Sequence, residues 1–349
     1  MQNIRKLYKY FLITGSLLLL FALIVGYSYY QRIYKSNIVI DSNTTRYLYI
    51  PTNSNIDSVT VILKKKNYLS NTKSFIWLAE KKNYAAHIHP GRYLLTKGMN
   101  NNELINLLRK GEQKPLKLIF NNVRTIEDLA GCVGNQIEAD SSDLIELMHN
   151  LDFVEDLGFN KFSFPCIFIP NTYEFWWNTS SKAFINRMYK EYLKFWNLKR
   201  LKQAKNNNLS PQEVITIASI VDEETWKNDE MSRIAGVYIN RLQHRIPLQA
   251  DPTIKFAVGD FSIKRVLTKH LKVESPYNTY KHYGLPPGPI SIPSIAAIDA
   301  VLNYEHHKYL YFCAKDDFSG YHNFAKNLNE HNRNARAYRR ALNKKRIWK

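Results

Sequence analysis

Ser210-Pro211-Gln212-Glu213, continued by VITIASIVDEET over Val214–Thr225, is the stretch from which the fold of this chain is best read. Ser at a cap, Pro at the first helical position and Glu at the third make a capping box, so a helix begins here. At ~100° per residue, Val214, Ile217, Ala218, Val221 and Thr225 share one stripe, which predicts an amphipathic helix lying on a core. Three consecutive acids, Asp222, Glu223 and Glu224, end it. Glu223 points directly away from the stripe and is expected in solvent. Asp222 lies above Ile215 and Ala218, and Glu224 above Ile217 and Ile220. Apolar neighbours disfavour the charged carboxylate, so either margin could hold a protonated acid near neutral pH, with Glu224 narrowly favoured. An ordinary solvated helix end explains the same three acids equally well, although the helix dipole disfavours negative charge at this terminus.

Working outward, Ala183 to Leu198 reads as one long amphipathic helix running into a basic stretch. Phe164 to Trp177, aromatic and with two prolines, suits strand and loop. Leu116 to Phe120 reads as a strand, and Thr125 opens a helix with Glu127 and Asp128 in its first turn. The Lys114-Pro115 region is the expected boundary with a smaller module over 36–114. There, extended chain over Ile38 to Ile50 precedes helices at Ile56 to Lys66 and Ser74 to Glu80. A turn and strand follow at His87 to Leu95, then a helix at Asn101 to Arg109 with Gly111 as its stop. The expected class is α+β: a small α+β module, then a larger α+β domain over 115–345.

Tyr10 to Tyr30 carries no charge, has the ~20-residue length of a bilayer core, and is crowded with tyrosines at both ends. No small-x-small cleavage site follows, so an uncleaved transmembrane helix over 10–30 is expected, with a cytoplasmic tail over 1–9 and the remainder exported. Arg5, Lys6 and Lys9 precede the span and Arg32 and Lys35 follow it, so charge bias barely orients it.

Forty-nine Lys and Arg against thirty Asp and Glu give a net charge of +19, which calls for an anionic partner. The basic residues, from Lys64-Lys65-Lys66 to the Arg333–Arg346 stretch, are spread along the chain without a nucleic-acid motif, and an exported body disfavours nucleic acid. Cys132, Cys166 and Cys313 are too widely spaced for a zinc site and odd in number, so free thiols are expected.

The ASIVDEET stretch resembles the helix motif of the endolytic lytic transglycosylases of the YceG-like family. The resemblance continues in order through VYINRL (Val237–Leu242), LQADPT (Leu248–Thr253), YNTY (Tyr277–Tyr280), GLPPGPI (Gly284–Ile290) and Pro293. It closes on His322, Phe324, His331 and Asn332, and upstream it takes in FIPNTYEF and GRYLLTKGMNNNELINLLRKG, the latter in the family's LysM-like module. It departs at Asp222, where the family often has Glu or Gln, and at Asn121-Asn122, where it usually has Glu-Gly. The resemblance implies that Glu224 is the catalytic acid/base of an enzyme that cuts peptidoglycan strands and leaves 1,6-anhydro ends. It further implies an inner-membrane protein with a periplasmic catalytic domain, penicillin-binding proteins as partners, and neither cofactor nor metal.

Asn240, Gln249, Asp251 and Asn278 are of the amide and carboxylate type that binds sugar hydroxyls and N-acetyl groups. Tyr277, Tyr280 and Trp176 could stack on sugar faces, although each of these residues has a structural alternative. His322, in the C-terminal motif, joins the substrate-binding candidates; neither it nor His331 has metal-ligand spacing. The Gly284–Pro289 loop is stiff enough to wall a groove and could equally be structural. Two rivals stay open: a two-carboxylate muramidase, with Asp251 or Glu174 as second acid, and a tethered scaffold that binds strands without cutting.

Overall fold

The computed structural model of the protein describes residues 2–40, 45–121 and 123–345. Residues 41–44 of the expected extended chain, Asn122 and Arg346 lie outside the described residues. Two compact units emerge, Met1–Lys117 with Glu174–Thr179, and Leu118–Tyr173 with Ser180–Lys349.

The first unit opens with helix α1 (Gln2–Tyr34), long and apolar enough to cross a membrane, whose apolar stretch is not buried within the protein. Strand β1 (Arg46–Ile50), helices α2 (Ile56–Lys65) and α3 (Thr72–Lys81), strand β2 (Gly91–Leu95) and helix α4 (Asn101–Arg109) follow. β1 and β2 pair antiparallel from Arg46 opposite Leu95 to Ile50 opposite Gly91. Alternation along the strands sends Leu48, Ile50, Tyr93 and Leu95 into a core with Val59, Leu63, Phe75, Leu78, Leu104 and Leu108. α2, α3 and α4 start on asparagine caps, at Asn55, Asn71 and Asn100; the Asn71 cap starts α3 two residues before the expected Ser74. Among the described residues, regular strand begins at Arg46; Ser36 and Ile38 make isolated bridges to Asn100 and Leu69. Asn37 and Asn101, both buried, bond to each other at 2.6 Å, and Asn101 Nδ2 also donates to the Arg32 carbonyl near the end of α1.

Strand β3 (Leu116–Phe120) precedes helices α5 (Ile126–Gly134), α6 (Ser141–His149) and α7 (Leu151–Asp156); strand β4 (Asn171–Phe175) pairs with β3. The helix expected over Ala183–Leu198 is in fact two, α8 (Ser181–Phe195) and α9 (Leu198–Asn206). Asn197 makes the break, because its extended backbone and its side chain, which accepts from Arg200 N–H, start a fresh helix. Next come α10 (Pro211–Glu224), α11 (Asn228–Gln243), α12 (Asp251–Val258), α13 (Ile295–Leu302), the antiparallel hairpin β5 (Tyr311–Ala314) and β6 (His322–Ala325), and α14 (Leu328–Lys344).

The Ser210 capping box forms as expected, with both reciprocal bonds present. The single buried stripe does not. Every residue from Val214 to Val221 is buried, because α9, α11, α12 and α13 pack around α10. Its buried hydroxyls are satisfied inside: Thr216 donates to the Gln212 carbonyl, and Ser219 donates to the Thr216 carbonyl while accepting from Ile290 N–H. That last bond ties the proline loop to α10. Pro286, Gly288, Pro289 and Ile290 are buried, so much of this loop is packing material.

Gly288 is there because no side chain fits: a Cβ would stand 2.0 Å from the Phe162 carbonyl oxygen. Both partners are backbone and cannot rotate away. Gly288→Ala should therefore lower stability by ~1–3 kcal/mol or more, read as a reduced urea midpoint. An unchanged midpoint would show that the loop is not held against the Phe162 backbone.

Candidate active site

The three acids at the end of α10 take three directions. Asp222 is a clasp: its carboxylate accepts from Ser294 N–H at 3.0 Å and from the Ser294 hydroxyl at 2.8 Å, and Ser294 caps α13. Glu223 is exposed, as expected, and faces Arg124 at 3.4 Å. Both line a cavity of about 690 Å³ with Arg124 and Trp226. Glu224 lines a different one, of about 450 Å³, with Tyr238, Arg241, Gln249, Asp251, Tyr280 and His322 among its walls.

Glu224 is half-buried, and its Oε1 accepts a 2.6 Å hydrogen bond from the hydroxyl of Tyr238 on α11. Burial pushes its carboxyl up from the ordinary 4.5 to about 7; the Tyr238 donor opposes this, Asp251 adds to it, Lys255 opposes it and Glu223 adds to it. Desolvation wins because the one donated bond and the lysine stabilise the anion less than lost water and two acids destabilise it. Tyr238 is itself buried, and burial with the neighbouring Glu224 holds its phenol well above its ordinary range, so it remains a donor. The Tyr238 ring meets Phe312 of β5 edge-on at 5.9 Å. One turn along α11 from Tyr238, Arg241 donates to the Leu248 carbonyl and to Gln249 Oε1, each at 2.9 Å. Gln249 takes a left-handed backbone conformation, φ +52°, leading into α12. Asp251, the first residue of α12, accepts from the Tyr280 hydroxyl at 2.6 Å. Thr279 ties the two segments together, accepting from Gln249 N–H on its carbonyl and from Ala250 N–H on its hydroxyl.

Of the residues singled out from sequence, the structure thus gathers Glu224, Gln249, Asp251, Tyr280 and His322 around one cavity. Three others do not line that cavity. Asn240 donates from Nδ2 to the carbonyls of His307 and Tyr309, holding the approach to β5. Asn278, fully buried, donates to the carbonyls of Leu271 and Val273 and accepts from Tyr280 N–H. Tyr277 is buried against Phe256, with ring centroids 4.6 Å apart. Their polar or aromatic groups are taken up by the scaffold, since irregular loops need side chains to satisfy buried carbonyls. Glu174 and Trp176 belong to the other compact unit. Tyr238 and Arg241 escaped the sequence reading; the signal was their i, i+3 spacing on the α11 face that VYINRL presents. Glu230 escaped it too: this buried acid in the first turn of α11 bonds to His322. The three cysteines are free, Cys166 buried and Cys313 in the cavity wall.

The sequence profile of the YceG-like family matches residues 48–337. An endolytic murein transglycosylase of Bacillus subtilis is 30% identical over 325 residues, covering 87% of this chain and 88% of that protein. One of Streptococcus pneumoniae is 30% identical over 342 residues, 88% of this chain and 61% of that longer protein. A crystal structure of a YceG-like protein from Listeria monocytogenes superposes with a TM-score of 0.55 at 28% identity, covering 83% of this chain and 99% of that one.

The raised carboxyl has a thermodynamic signature. Between the unfolded value near 4.5 and the folded value near 7, the native state holds a proton that the unfolded chain has lost. Stability from this group is therefore complete below pH 4.5 and declines as pH rises through 7. Glu224→Gln abolishes the titration, so its melting temperature should exceed that of the unsubstituted protein at pH 8 and the gap should close toward pH 4.5. A gap independent of pH would mean that Glu224 is not held protonated.

Proposed function

This chain belongs to the YceG-like family, and we propose that it is a membrane-anchored endolytic murein transglycosylase with Glu224 as its catalytic acid/base. The observation that carries this reading is Glu224, the last residue of a buried helix, whose carboxyl is raised to about 7 by burial within a polar cavity. The substrate is the β-1,4 bond from MurNAc to GlcNAc in nascent peptidoglycan strands. Tyr238 occupies Glu224 Oε1, so the acid proton resides on Oε2. From there it passes to the bridging oxygen as the C1–O bond of the muramyl residue breaks. The muramyl C6 hydroxyl attacks C1, the carboxylate takes up a proton, and the product carries a 1,6-anhydro end. Tyr238 steadies the carboxylate while it is charged. Endolytic cutting of strands as they are made would end their elongation, and synthases of the penicillin-binding class are the partners this implies.

α1 supports an anchor in the cytoplasmic membrane, with residues 1–9 on the cytoplasmic side and the enzyme in the periplasm. The strand–helix–helix–strand order of β1, α2, α3 and β2 supports reading 36–114 as a LysM-like strand-binding module ahead of the catalytic domain at 115–345. The net charge of +19 suits a polymer bearing carboxylates. Asp251, in the same cavity as Glu224, favours one alternative, a two-carboxylate muramidase.

Mass spectrometry of a peptidoglycan digest separates these readings, since anhydro ends mark a transglycosylase and reducing ends a hydrolase. Glu224→Gln should lose at least ~10²–10⁴-fold in turnover with strand binding kept, whereas Glu223→Gln and Asp222→Asn stay active. Because the acid must begin protonated, kcat/KM should fall as pH rises through about 7. Near-normal turnover by Glu224→Gln would overturn the assignment.

The topology has its own measurement. A reporter fused after Lys349 should be active only in its exported form; activity of a cytoplasmic reporter at that position would refute the periplasmic placement.

A further inference from the structure

Three cations gather close to the point where α1 ends. The uncharged stretch of α1 closes at Tyr30, and at 1.5 Å per residue the helix runs ~6 Å further, to Tyr34. No loose linker follows it. Tyr29 stands edge-on to Trp77 of α3 at 5.2 Å, the Arg32 guanidinium lies 5.5 Å from the same ring, and Asn101 of α4 holds the Arg32 carbonyl. Asn37 N–H and Ile38 N–H then both donate to the Met99 carbonyl, at 3.1 and 3.0 Å, and Val39 N–H donates to the Tyr68 carbonyl at 3.0 Å. The small module is thereby fixed on α1. Beside this segment lies a cavity of about 520 Å³ lined by Val39, Ile40, Arg46, Lys66, Tyr68 and Lys97. Arg46 stands opposite Leu95, two residues before Lys97, so both cations sit at the end of the sheet that leads to the Ser36–Asn100 bridge. All three cations are exposed, as is Val39, and no carboxylate is among the described residues that line the cavity. Like charges gathered without an acid repel one another, a cost that a bound anion removes.

We infer that this cavity binds the phosphate of an anionic phospholipid headgroup and so holds the small module against the bilayer that α1 crosses. This rests on the membrane-anchor reading and adds a second contact to it. Distance allows the contact. Ser36, two residues past α1, lies within ~13 Å of the end of the apolar stretch, from helix rise and extended chain together. Lys97 is the neighbour of Gly98, where an added Cβ would stand 3.8 Å from Ser36 Oγ. The headgroup layer extends roughly 5–8 Å beyond the hydrocarbon core. The field of an anionic surface reaches a further ~8 Å at physiological salt. A headgroup and free phosphate offer the same chemistry to Arg46, Lys66 and Lys97, but the anchor keeps bilayer phosphates beside the cavity at high local concentration. α1 by itself leaves the module free to tilt, and a contact off the helix axis removes that freedom.

The test places the full-length protein in nanodiscs, one set of phosphatidylcholine alone and one with an equal share of phosphatidylglycerol, and follows acetylation of single lysines by mass spectrometry. Lys66 and Lys97 should react ~5-fold or more slowly in the phosphatidylglycerol discs. Lys110, at the far end of α4 from Asn101, is the control and should react equally in both. Arg46→Gln removes one charge, leaves both reporter lysines, and should restore much of the lost rate. Equal rates for Lys66 and Lys97 in the two lipids overturn the inference, and this comparison needs no variant to fold. So does a folded Arg46→Gln protein with undiminished protection, or slowing of Lys110 to the same degree, which marks a general surface effect. Protection in phosphatidylcholine discs by added inorganic phosphate assigns the cavity to a free anion, and protection there by peptidoglycan strands assigns it to the strand; either result overturns the lipid. Protein that stays soluble and enters neither disc would instead remove the anchor reading itself.

Discussion

Helix α10 has no solvent face along Val214–Val221, and much of the second unit depends on that burial. A helix enclosed on all sides can end only where its surroundings supply partners for its last residues, and here those residues are acids. Their charges are resolved separately. Asp222 accepts two donors from Ser294, Glu223 faces Arg124 at the surface, and Glu224 receives one phenolic donor. The acid with the weakest compensation is the one in the cavity, and its pKa rises accordingly. Burial is thereby set against the charged form at Glu224, a departure from what the fold alone would favour of the kind that is common at functional sites.

Precision at the site comes from rigid elements. Tyr238 and Arg241 share a face of α11, and Asp251 starts α12. The irregular segments between them are locked by side chains that accept or donate to backbone: Thr279 to residues 249–250, Asn278 to the 271–273 turn, and Asn240 to the approach to β5. Residues that look like sugar ligands by chemical type are needed first to satisfy buried carbonyls and amides. This accounts for how several polar residues in shared motifs serve the cavity without entering it. The proline loop is the same case in apolar form, since its buried part rests on Ser219 and the Phe162 backbone.

Much of the secondary structure was legible locally. Capping boxes at Asn100, Thr125 and Ser210 mark helix starts in plain sequence, because the cap and its third residue interact over one turn. The Asn197 break between α8 and α9 was missed for a related reason: the amphipathic pattern runs across it, and a cap inside such a pattern is easily overlooked. The stripe on α10 was misjudged because periodicity reports one buried face and cannot report that hydroxyls on the other, Thr216 and Ser219, are satisfied within the helix and by a distant loop.

By itself, the sequence determined the α+β class, the apolar N-terminal helix and the family, and it put Glu224 forward as the candidate acid, since each is carried by spacing within a segment or by motifs in fixed order. Only the tertiary structure decided that Glu224 meets the cavity that Asp251 and His322 line, that Tyr238 bonds to it, and that Glu230 holds His322. These depend on distances between elements 14 to 92 residues apart in the chain, and on desolvation, which is a property of the surrounding packing and not of any one segment.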